Sequence, residues 1–161
     1  MLRLLGRKLC CAYLLKDGKI LAYSLHFSRE RAFERLEKIK KFHSLQGRVC
    51  ESEKMDAKLE RKIGSVLKGR VARIDTGIYR YSGVYGELLK IKAGSVTTYS
   101  QLAARTKLKI WQVILALARN PMLILIPCHR VIRKDGKLSG YTPLGREFKK
   151  ALLRAEGFTC R

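Results

Sequence analysis

Apolar and polar positions in the first part of the chain predict a β-hairpin. Residues 8–15 are mostly apolar, and residues 20–27 form a second run of the same kind. Between them stands Asp17-Gly18, a dipeptide typical of two-residue turns, because both of its positions tolerate positive φ. The two runs are therefore expected to pair as antiparallel strands.

Two amphipathic helices are predicted to follow the hairpin. The first begins after Ser28, a residue that favours the N-cap position, and ends before Gly47. The second begins near Ser52 and ends at Gly69. Their apolar residues recur at helical spacing, which predicts one buried face on each helix. The predicted buried positions are Ala32, Phe33, Leu36, Ile39 and His43 in the first helix, and Met55, Leu59, Ile63 and Val66 in the second.

The second half of the chain is predicted to be mainly helical. One helix runs from Gly83 to Ile91. A short helix then follows the N-cap candidates Thr97-Thr98, and a further helix covers residues 109–119. Two short helices with a tight connection are typical of a helix-turn-helix.

The C-terminal end of the chain is predicted to form one more helix. Thr142 is the expected N-cap, Pro143 the first helical residue and Gly157 the stop signal. The fold class is therefore α/β (α+β): an antiparallel sheet with helices over residues 1–75, then a helical domain with the helix-turn-helix over residues 76–161.

The helix over residues 109–119 has two predicted faces. At about 100° per residue, a core stripe collects on one side and the remaining residues lie opposite. That opposite face carries few base-reading side chains, so it suits close approach and wedging in a minor groove; the alternative is that Trp111 and Leu115 pack on the other domain. The stripe is Ile110, Val113, Ile114 and Leu117; the opposite face is Trp111, Gln112, Leu115, Ala116, Ala118 and Arg119.

Charge indicates the class of partner. The 161 residues carry a formal net charge of +22, and the basic excess is present in both halves. Such an excess is typical of proteins that bind a polyanion, with nucleic acid first and an anionic membrane surface second. A thermophilic composition would also be rich in charge, but more balanced in sign. No apolar run is long enough to span a membrane and no signal peptide opens the chain, so a cytoplasmic protein is expected.

The cysteines argue against a secreted disulfide framework. There are five of them, Cys10, Cys11, Cys50, Cys128 and Cys160, with no C-x-x-C pair. Cys10, Cys11 and Cys50 could gather a metal ion with His26 and His43, but their irregular spacing makes this a minor alternative to buried structural thiols.

One pair of residues suggests nucleophilic chemistry. Cys128 is followed directly by His129, and an imidazole within reach can accept the thiol proton while nearby cations lower the thiol pKa. Glu156 is a carboxylate that could orient the histidine as the third member of a relay. Taken alone, a Cys-His dipeptide is more often structural than catalytic.

The motif around this pair resembles a known family. Residues 127–131 read Pro-Cys-His-Arg-Val, with Asn-Pro at 120–121 before them and Gly-Tyr at 140–141 and Ala-Glu-Gly at 155–157 after them. Together with Val-Thr-Thr-Tyr-Ser-Gln-Leu-Ala at 96–103, they are similar to the O6-alkylguanine-DNA alkyltransferases, the methylated-DNA–protein-cysteine methyltransferases. The matching motifs cover residues 83–157.

The resemblance implies a single-turnover repair reaction. Cys128 would accept the alkyl group from O6-alkylguanine, or from O4-alkylthymine, in double-stranded DNA after the base is flipped out, with neither metal nor cofactor. His129, acting through a water and held by Glu156, would take the thiol proton. Asn120 would be the hinge beside the recognition helix, and Tyr99 would protonate the leaving guanine. The implied base pocket is Pro127, Val131, Ser139, Gly140 and Tyr141.

The implied DNA interface departs from the family in one place. An arginine usually enters the base stack from the second helix, and counting back from Asn120 puts Trp111 there, which we interpret as the wedge. The other residues assigned to this interface are Ser100, Arg105, Lys107, Lys109, Gln112, Leu115 and Arg119. The protein is expected to act as a monomer.

Two other functions remain open at this point. Some relatives bind alkylguanine without accepting the alkyl group, although in those the acceptor cysteine is replaced. A basic helix-turn-helix DNA-binding protein in which Cys128 is incidental is the second alternative.

Overall fold

An antiparallel sheet forms the first layer of the N-terminal half, residues 1–75. The computed structural model describes residues 1–160. Strand β2 is central and pairs with β3 along its length, while β1 and β4 pair with its two ends. Lys16 pairs with Lys19, and the intervening Asp17 and Gly18 both have positive φ, which confirms the predicted hairpin turn. The strands are β1 (Leu2–Leu4), β2 (Arg7–Lys16), β3 (Lys19–His26) and β4 (Arg48–Cys50).

Two helices cover this sheet. Helix α1 (Arg29–Phe42) packs on β2 and β3, and α2 (Glu53–Leu67) packs on β1. Ser52 caps α2 by accepting a hydrogen bond from the Met55 amide. The predicted apolar faces are confirmed, with Phe33 and Met55 half-buried at their edges. Arg35 on α1 is also buried, which the apolar pattern does not predict.

The C-terminal half contains four helices and one short parallel strand pair. A capping box formed by Thr98 and Gln101 starts α4, and a left-handed residue, Lys107, ends it. Helices α4 and α5 confirm the predicted helix-turn-helix. The elements are a 3-10 turn (Thr76–Ile78), α3 (Ser82–Leu89), β5 (Thr97–Thr98), α4 (Tyr99–Thr106), α5 (Ile110–Ala118), a 3-10 turn (Cys128–Arg130), β6 (Val131–Ile132) and α6 (Arg146–Ala155).

The predicted start of the last helix is wrong. Thr142 and Pro143 lie in a turn that closes where the Gly145 amide donates to the Tyr141 carbonyl, and the Thr142–Pro143 peptide bond is cis. Gly145 has φ +89 and ψ 163, far from helical values, so α6 can begin only at Arg146. Thr142 and Pro143, which predicted a helix start, are also typical of turns, and here they form the turn before α6.

The predicted faces of α5 are also partly wrong. Val113 and Ala116 are its fully buried residues, whereas Ile110 is 48% and Ile114 is 51% exposed. The small Ala116 side chain allows close packing, and the Tyr85 hydroxyl donates to the Ala116 carbonyl. A helical wheel places large apolar residues in the core. On α5, however, the buried face carries the small Ala116, and the two isoleucines are exposed.

One continuous hydrophobic core includes residues from both halves. The α+β fold class is confirmed, while the division into domains at residue 75 stays a prediction. Within residues 1–160, no helix combines the length and the hydropathy needed to cross a membrane.

A set of hydrogen bonds, here called the joint, ties the N-terminal half to the carbonyls of residues 118–123. Arg35 Nη2 donates to the Ala118 carbonyl (3.4 Å), and His43 Nε2 lies 2.8 Å from the Arg119 carbonyl. Because His43 Nδ1 accepts from the Arg80 amide, Nε2 carries the proton and donates. The Tyr23 amide donates to the Pro121 carbonyl and the Tyr23 hydroxyl to that of Leu123.

The joint predicts the effect of a Tyr23→Phe substitution. The hydroxyl donates at 2.6 Å to the Leu123 carbonyl in the interior, so its removal leaves a buried acceptor without a donor. We expect the free energy of unfolding, measured by urea titration, to fall by roughly 1–3 kcal/mol. Tyr81→Phe is the control, since the half-buried Tyr81 hydroxyl is 3.5 Å from Gln112 Nε2. Equal effects of the two substitutions would show that the Tyr23 hydroxyl has no special role.

Candidate active site

Cys128 is held by the side chain of Asn120. Asn120 Nδ2 donates to Cys128 Sγ at 3.1 Å and to the Ile126 carbonyl at 2.8 Å. Its Oδ1 accepts from the Met122 amide at 3.0 Å, so three bonds lock the amide in one orientation. Asn120 and Cys128 are both buried, and the hydrophobic segment between them crosses the core. The orientation of the sulfur is therefore set by one fully satisfied amide.

Cys128 opens onto a cleft of about 100 Å³ between α5 and the loop before α6. A cavity needs only about 10–15 Å³ of volume measured in this way to hold one water, so a larger ligand group can enter. One wall is apolar and comes from α5, while the other is polar. The lining residues are Tyr99, Ile114, Leu117, Ala118, Cys128, Gly140, Tyr141, Thr142 and Lys149.

The resting thiol is neutral. Burial raises the pKa of Cys128 above its ordinary value. The Asn120 hydrogen bond and the positive charges of Lys149 and Arg35 act in the opposite direction, but they do not outweigh burial. Lys149 and Arg35 lower the thiol pKa, as expected of nearby cations, but burial raises it more, so ionisation of Cys128 requires a base.

His129 is the candidate for such a base. Its Nε2 lies 2.9 Å from Glu156 Oε1, and both side chains are inaccessible to solvent. Since an ionised carboxylate can only accept, Nε2 carries the proton and Nδ1 has a free lone pair. Nδ1 is buried and has no hydrogen-bond partner among residues 1–160. Burial lowers the pKa of His129 more than Glu156 raises it, so the imidazole is neutral at pH 7 and can accept a proton.

Glu156 is shared with Arg130. Arg130 Nη2 donates to Oε1 at 2.6 Å and Arg130 Nε to Oε2 at 3.0 Å, while Nη1 donates to the Ile91 carbonyl. Burial raises the pKa of Glu156, but the hydrogen bonds from His129 and Arg130 outweigh it and lower the value overall. The carboxylate therefore stays ionised and fixes the imidazole.

A second polar chain reaches the cleft from α6, and its lysine is the functional candidate that sequence reasoning missed. Lys149 is 1% exposed; its Nζ donates to the Val131 carbonyl and, at 3.0 Å, to Ser139 Oγ. Ser139 Oγ is 2.5 Å from the Tyr99 hydroxyl. The available signal was the position of Lys149 on the apolar face of α6, next to Phe148 and three residues before Leu152.

The structure brings only part of the assigned base pocket to the cleft wall. Gly140 and Tyr141 line it, and Ser139 stands behind Tyr99. Pro127 and Val131 are buried next to the catalytic segment and lie outside the lining.

The residues assigned to DNA binding lie on or beside the helix-turn-helix. Trp111 is 59% exposed, so it does not pack on the N-terminal half. It lies on the same face of α5 as Ile114 and Ala118, which line the cleft, so this face leads from the surface to Cys128. Ser100, Arg105, Lys107 and Lys109 are exposed, whereas Gln112, Leu115 and Arg119 are half-buried.

Comparison with known proteins agrees with this geometry. Residues 80–158 match the family model described as 6-O-methylguanine DNA methyltransferase, DNA binding domain. Over these residues, the chain is similar to the DNA-binding domain of the 6-O-methylguanine DNA methyltransferases. The match begins two residues before α3 and includes Cys128, His129 and Glu156.

Individual proteins similar to this chain extend the comparison. A methylated-DNA–protein-cysteine methyltransferase of Metallosphaera sedula is 44% identical over 85 residues, 53% of each protein. One from Saccharolobus solfataricus is 45% identical over 74 residues, 46% of this chain and 48% of that protein. The chain thus spans about half the length of the curated relatives it matches. A crystal structure of O6-methylguanine-DNA methyltransferase from Pyrococcus kodakaraensis shares the fold over 89% of both chains, with 25% identity and a TM-score of 0.65.

The buried ammonium predicts a specific pH dependence of stability. Burial lowers the pKa of Lys149 to about 8, whereas an unfolded lysine titrates near pH ~10.4. Between these values the unfolded state binds the additional proton, so raising the pH through this window stabilises the fold. We expect the free energy of unfolding, relative to Lys149→Met, to rise by about 3 kcal/mol from pH 8 to pH ~10.4.

The control for this experiment is Lys150→Met. Lys150 is adjacent on α6 and half-buried, and it forms no hydrogen bond or ion pair within the described part of the chain. A pH-independent difference between the parent and Lys149→Met would contradict the assignment of a perturbed lysine.

Proposed function

We propose that this protein repairs O6-alkylguanine in DNA by transferring the alkyl group to its own Cys128, once per molecule. The observation that carries the proposal is the position of Cys128 Sγ, bound by Asn120 and open to a cleft beneath the recognition helix α5. The names of the curated relatives and the family match over residues 80–158 support it.

The proposed reaction begins with ionisation of the thiol. The Cys128 proton passes through a bridging water to His129 Nδ1, the nitrogen with a free lone pair, and Glu156 stabilises the resulting imidazolium. The thiolate then attacks the alkyl carbon in line with its bond to O6. An S–C bond forms, the C–O6 bond breaks, and its electron pair stays on the purine. The thioether product is not reversed by thiol exchange, which explains a single turnover.

The leaving guanine needs a proton to depart as a neutral base, and Tyr99 is placed to donate it. Lys149 can only donate, so it occupies one lone pair of Ser139 Oγ. When Ser139 donates in turn to the Tyr99 oxygen, the Tyr99 proton is free to point into the cleft. Gly140 and Tyr141 also line the cleft, and Ser139 stands behind Tyr99, so these residues form the proposed base pocket.

Duplex DNA is the proposed partner. O6 is inaccessible within the stack, so the nucleotide is flipped at a cost of a few kcal/mol. Exposed Ser100, Arg105, Lys107 and Lys109 contact phosphates, with Gln112, Leu115 and Arg119 at the edges of α5. All proposed catalytic groups come from one chain, so a monomer suffices. We infer a cytoplasmic, nucleoid-associated protein.

The central test is the intact mass before and after exposure to O6-benzylguanine. We expect the addition of one benzyl group, located by peptide mapping to Cys128, and none in Cys128→Ser. Cys50→Ser, which changes a half-buried thiol on β4, should react like the parent. Binding of the base without a mass change would identify a non-catalytic alkylguanine-binding protein instead.

Trp111 has its own test, because it is proposed to fill the space left by the flipped base. Stacking on the orphaned base is worth about 1–3 kcal/mol, so Trp111→Ala should repair alkylated duplex about 5- to 150-fold more slowly. Its reaction with O6-benzylguanine free base, which needs no flipping, should be unchanged. Trp111→Arg, which restores the residue usual in the family, should keep duplex repair. Parent-like duplex repair by the alanine variant would refute the wedge.

A further inference from the structure

Arg35 is a buried cation, and its single hydrogen bond in the joint does not explain why a charged side chain is buried there. It is only 7% exposed, and one nitrogen, Nη2, makes a long 3.4 Å hydrogen bond to the Ala118 carbonyl. Its Nε and Nη1 are buried and have no hydrogen-bond partner among residues 1–160. Neighbouring carbonyls at the end of α5 are already satisfied, Ala116 by Tyr85 and Arg119 by His43.

No carboxylate balances this charge. Within residues 1–160 the ion pairs use other basic groups, and Arg35 is in none of them. Burial lowers the pKa of Arg35, while Cys128, Tyr141 and Tyr23 act to raise it and Arg119 acts to lower it. A buried, unpaired guanidinium costs stability, so its presence calls for a negative charge that forms during function.

The location of Arg35 connects it with the reacting sulfur. Ala118, which accepts its hydrogen bond, lines the same cleft as Cys128. Two residues further along, Asn120 donates to Cys128 Sγ. The positive charge of Arg35 acts to lower the pKa of Cys128, together with Asn120, Lys149 and Tyr141. Of the groups around Arg35, the Cys128 thiol is the one that the proposed reaction ionises.

We propose that Arg35, supplied by α1 of the N-terminal half, is the built-in counter-charge for the Cys128 thiolate. This inference rests on the proposed role of Cys128 as the alkyl acceptor. At rest the sulfur is protonated and Arg35 is unpaired. When the proton moves to His129, the negative charge on the sulfur forms in the electric field of a guanidinium that is already in position. No dipoles or charges need to reorient during this step. The unpaired charge destabilises the resting protein but favours formation of the thiolate.

The test separates the charge of Arg35 from its hydrogen bond. Arg35→Gln keeps an N–H donor for the Ala118 carbonyl and loses the charge, while Arg35→Lys keeps the charge. Arg31→Gln removes the same charge from an exposed position on α1 and is the matched control. Each protein is treated with iodoacetamide from pH 6 to pH 10; the Cys128 thiolate displaces iodide, and peptide mapping follows Cys128 alone.

We expect Cys128 of Arg35→Gln to react about tenfold more slowly than that of the parent at each pH on the rising limb of the profile, which corresponds to a thiol pKa raised by about one unit. Arg35→Lys and Arg31→Gln should react within a factor of two or three of the parent. The thermal midpoint of Arg35→Gln should equal or exceed that of the parent, because an unpaired buried charge is removed.

A purely structural arginine gives the opposite pattern. Parent-like pH profiles for Arg35→Gln would overturn the proposal, and so would profiles of Arg35→Lys that match Arg35→Gln. O6-benzylguanine treatment of the parent keeps the two proposals apart. If the parent does not accept the benzyl group but its iodoacetamide profile depends on Arg35, the proposed repair function is refuted and the counter-charge proposal is supported. If the benzyl group is transferred but the iodoacetamide profile does not depend on Arg35, the repair function is supported and the counter-charge proposal is refuted.

Discussion

The three hydrogen bonds of the Asn120 amide determine how the reactive segment is built. One side chain joins the end of α5 to the Met122 amide, to the Ile126 carbonyl and to the Cys128 sulfur. Because Asn120 is buried, these hydrogen bonds take the place of bonds to water. Losing any of them leaves a buried polar group without a partner. Helix α5 and the Cys128 sulfur are thus held in one geometry by a single residue.

The N-terminal half contributes through the same segment. Its side chains and one of its amides bind carbonyls on both sides of Asn120, so α1 and β3 determine where the hinge lies. This explains why a half with no readable chemistry of its own shares one hydrophobic core with the reactive half. The position of the sulfur depends on packing far from it in sequence.

Local signals predicted much of this molecule. The hairpin, the faces of α1 and α2, and the helix-turn-helix follow from turn chemistry, caps and periodicity, which act over a few residues. The helical wheel for α5 failed because a small Ala116 is buried there, while Ile114 lines the cleft and Ile110 is exposed. The start of α6 failed because Gly145 adopts a backbone conformation that capping rules do not anticipate.

The site shows the same division. The motif pointed to Cys128, His129 and Glu156, but their protonation states depend on burial, which no local pattern reveals. Sequence reasoning expected nearby cations to lower the thiol pKa, and burial raises it more. Arg35 and Lys149 were missed because charged residues in basic helices are ordinarily solvent-facing, and only the tertiary fold places these two inside.

The double use of α6 limits how the site can be redesigned. This one helix carries Lys149 on the cleft side and ends at Glu156, two turns later, behind the imidazole. A change in its rotation or axial position would therefore disturb the ammonium and the carboxylate together. Under the proposed function, mutant libraries intended to admit bulkier adducts are better directed at residues 140–142, which border the cleft and carry neither charge.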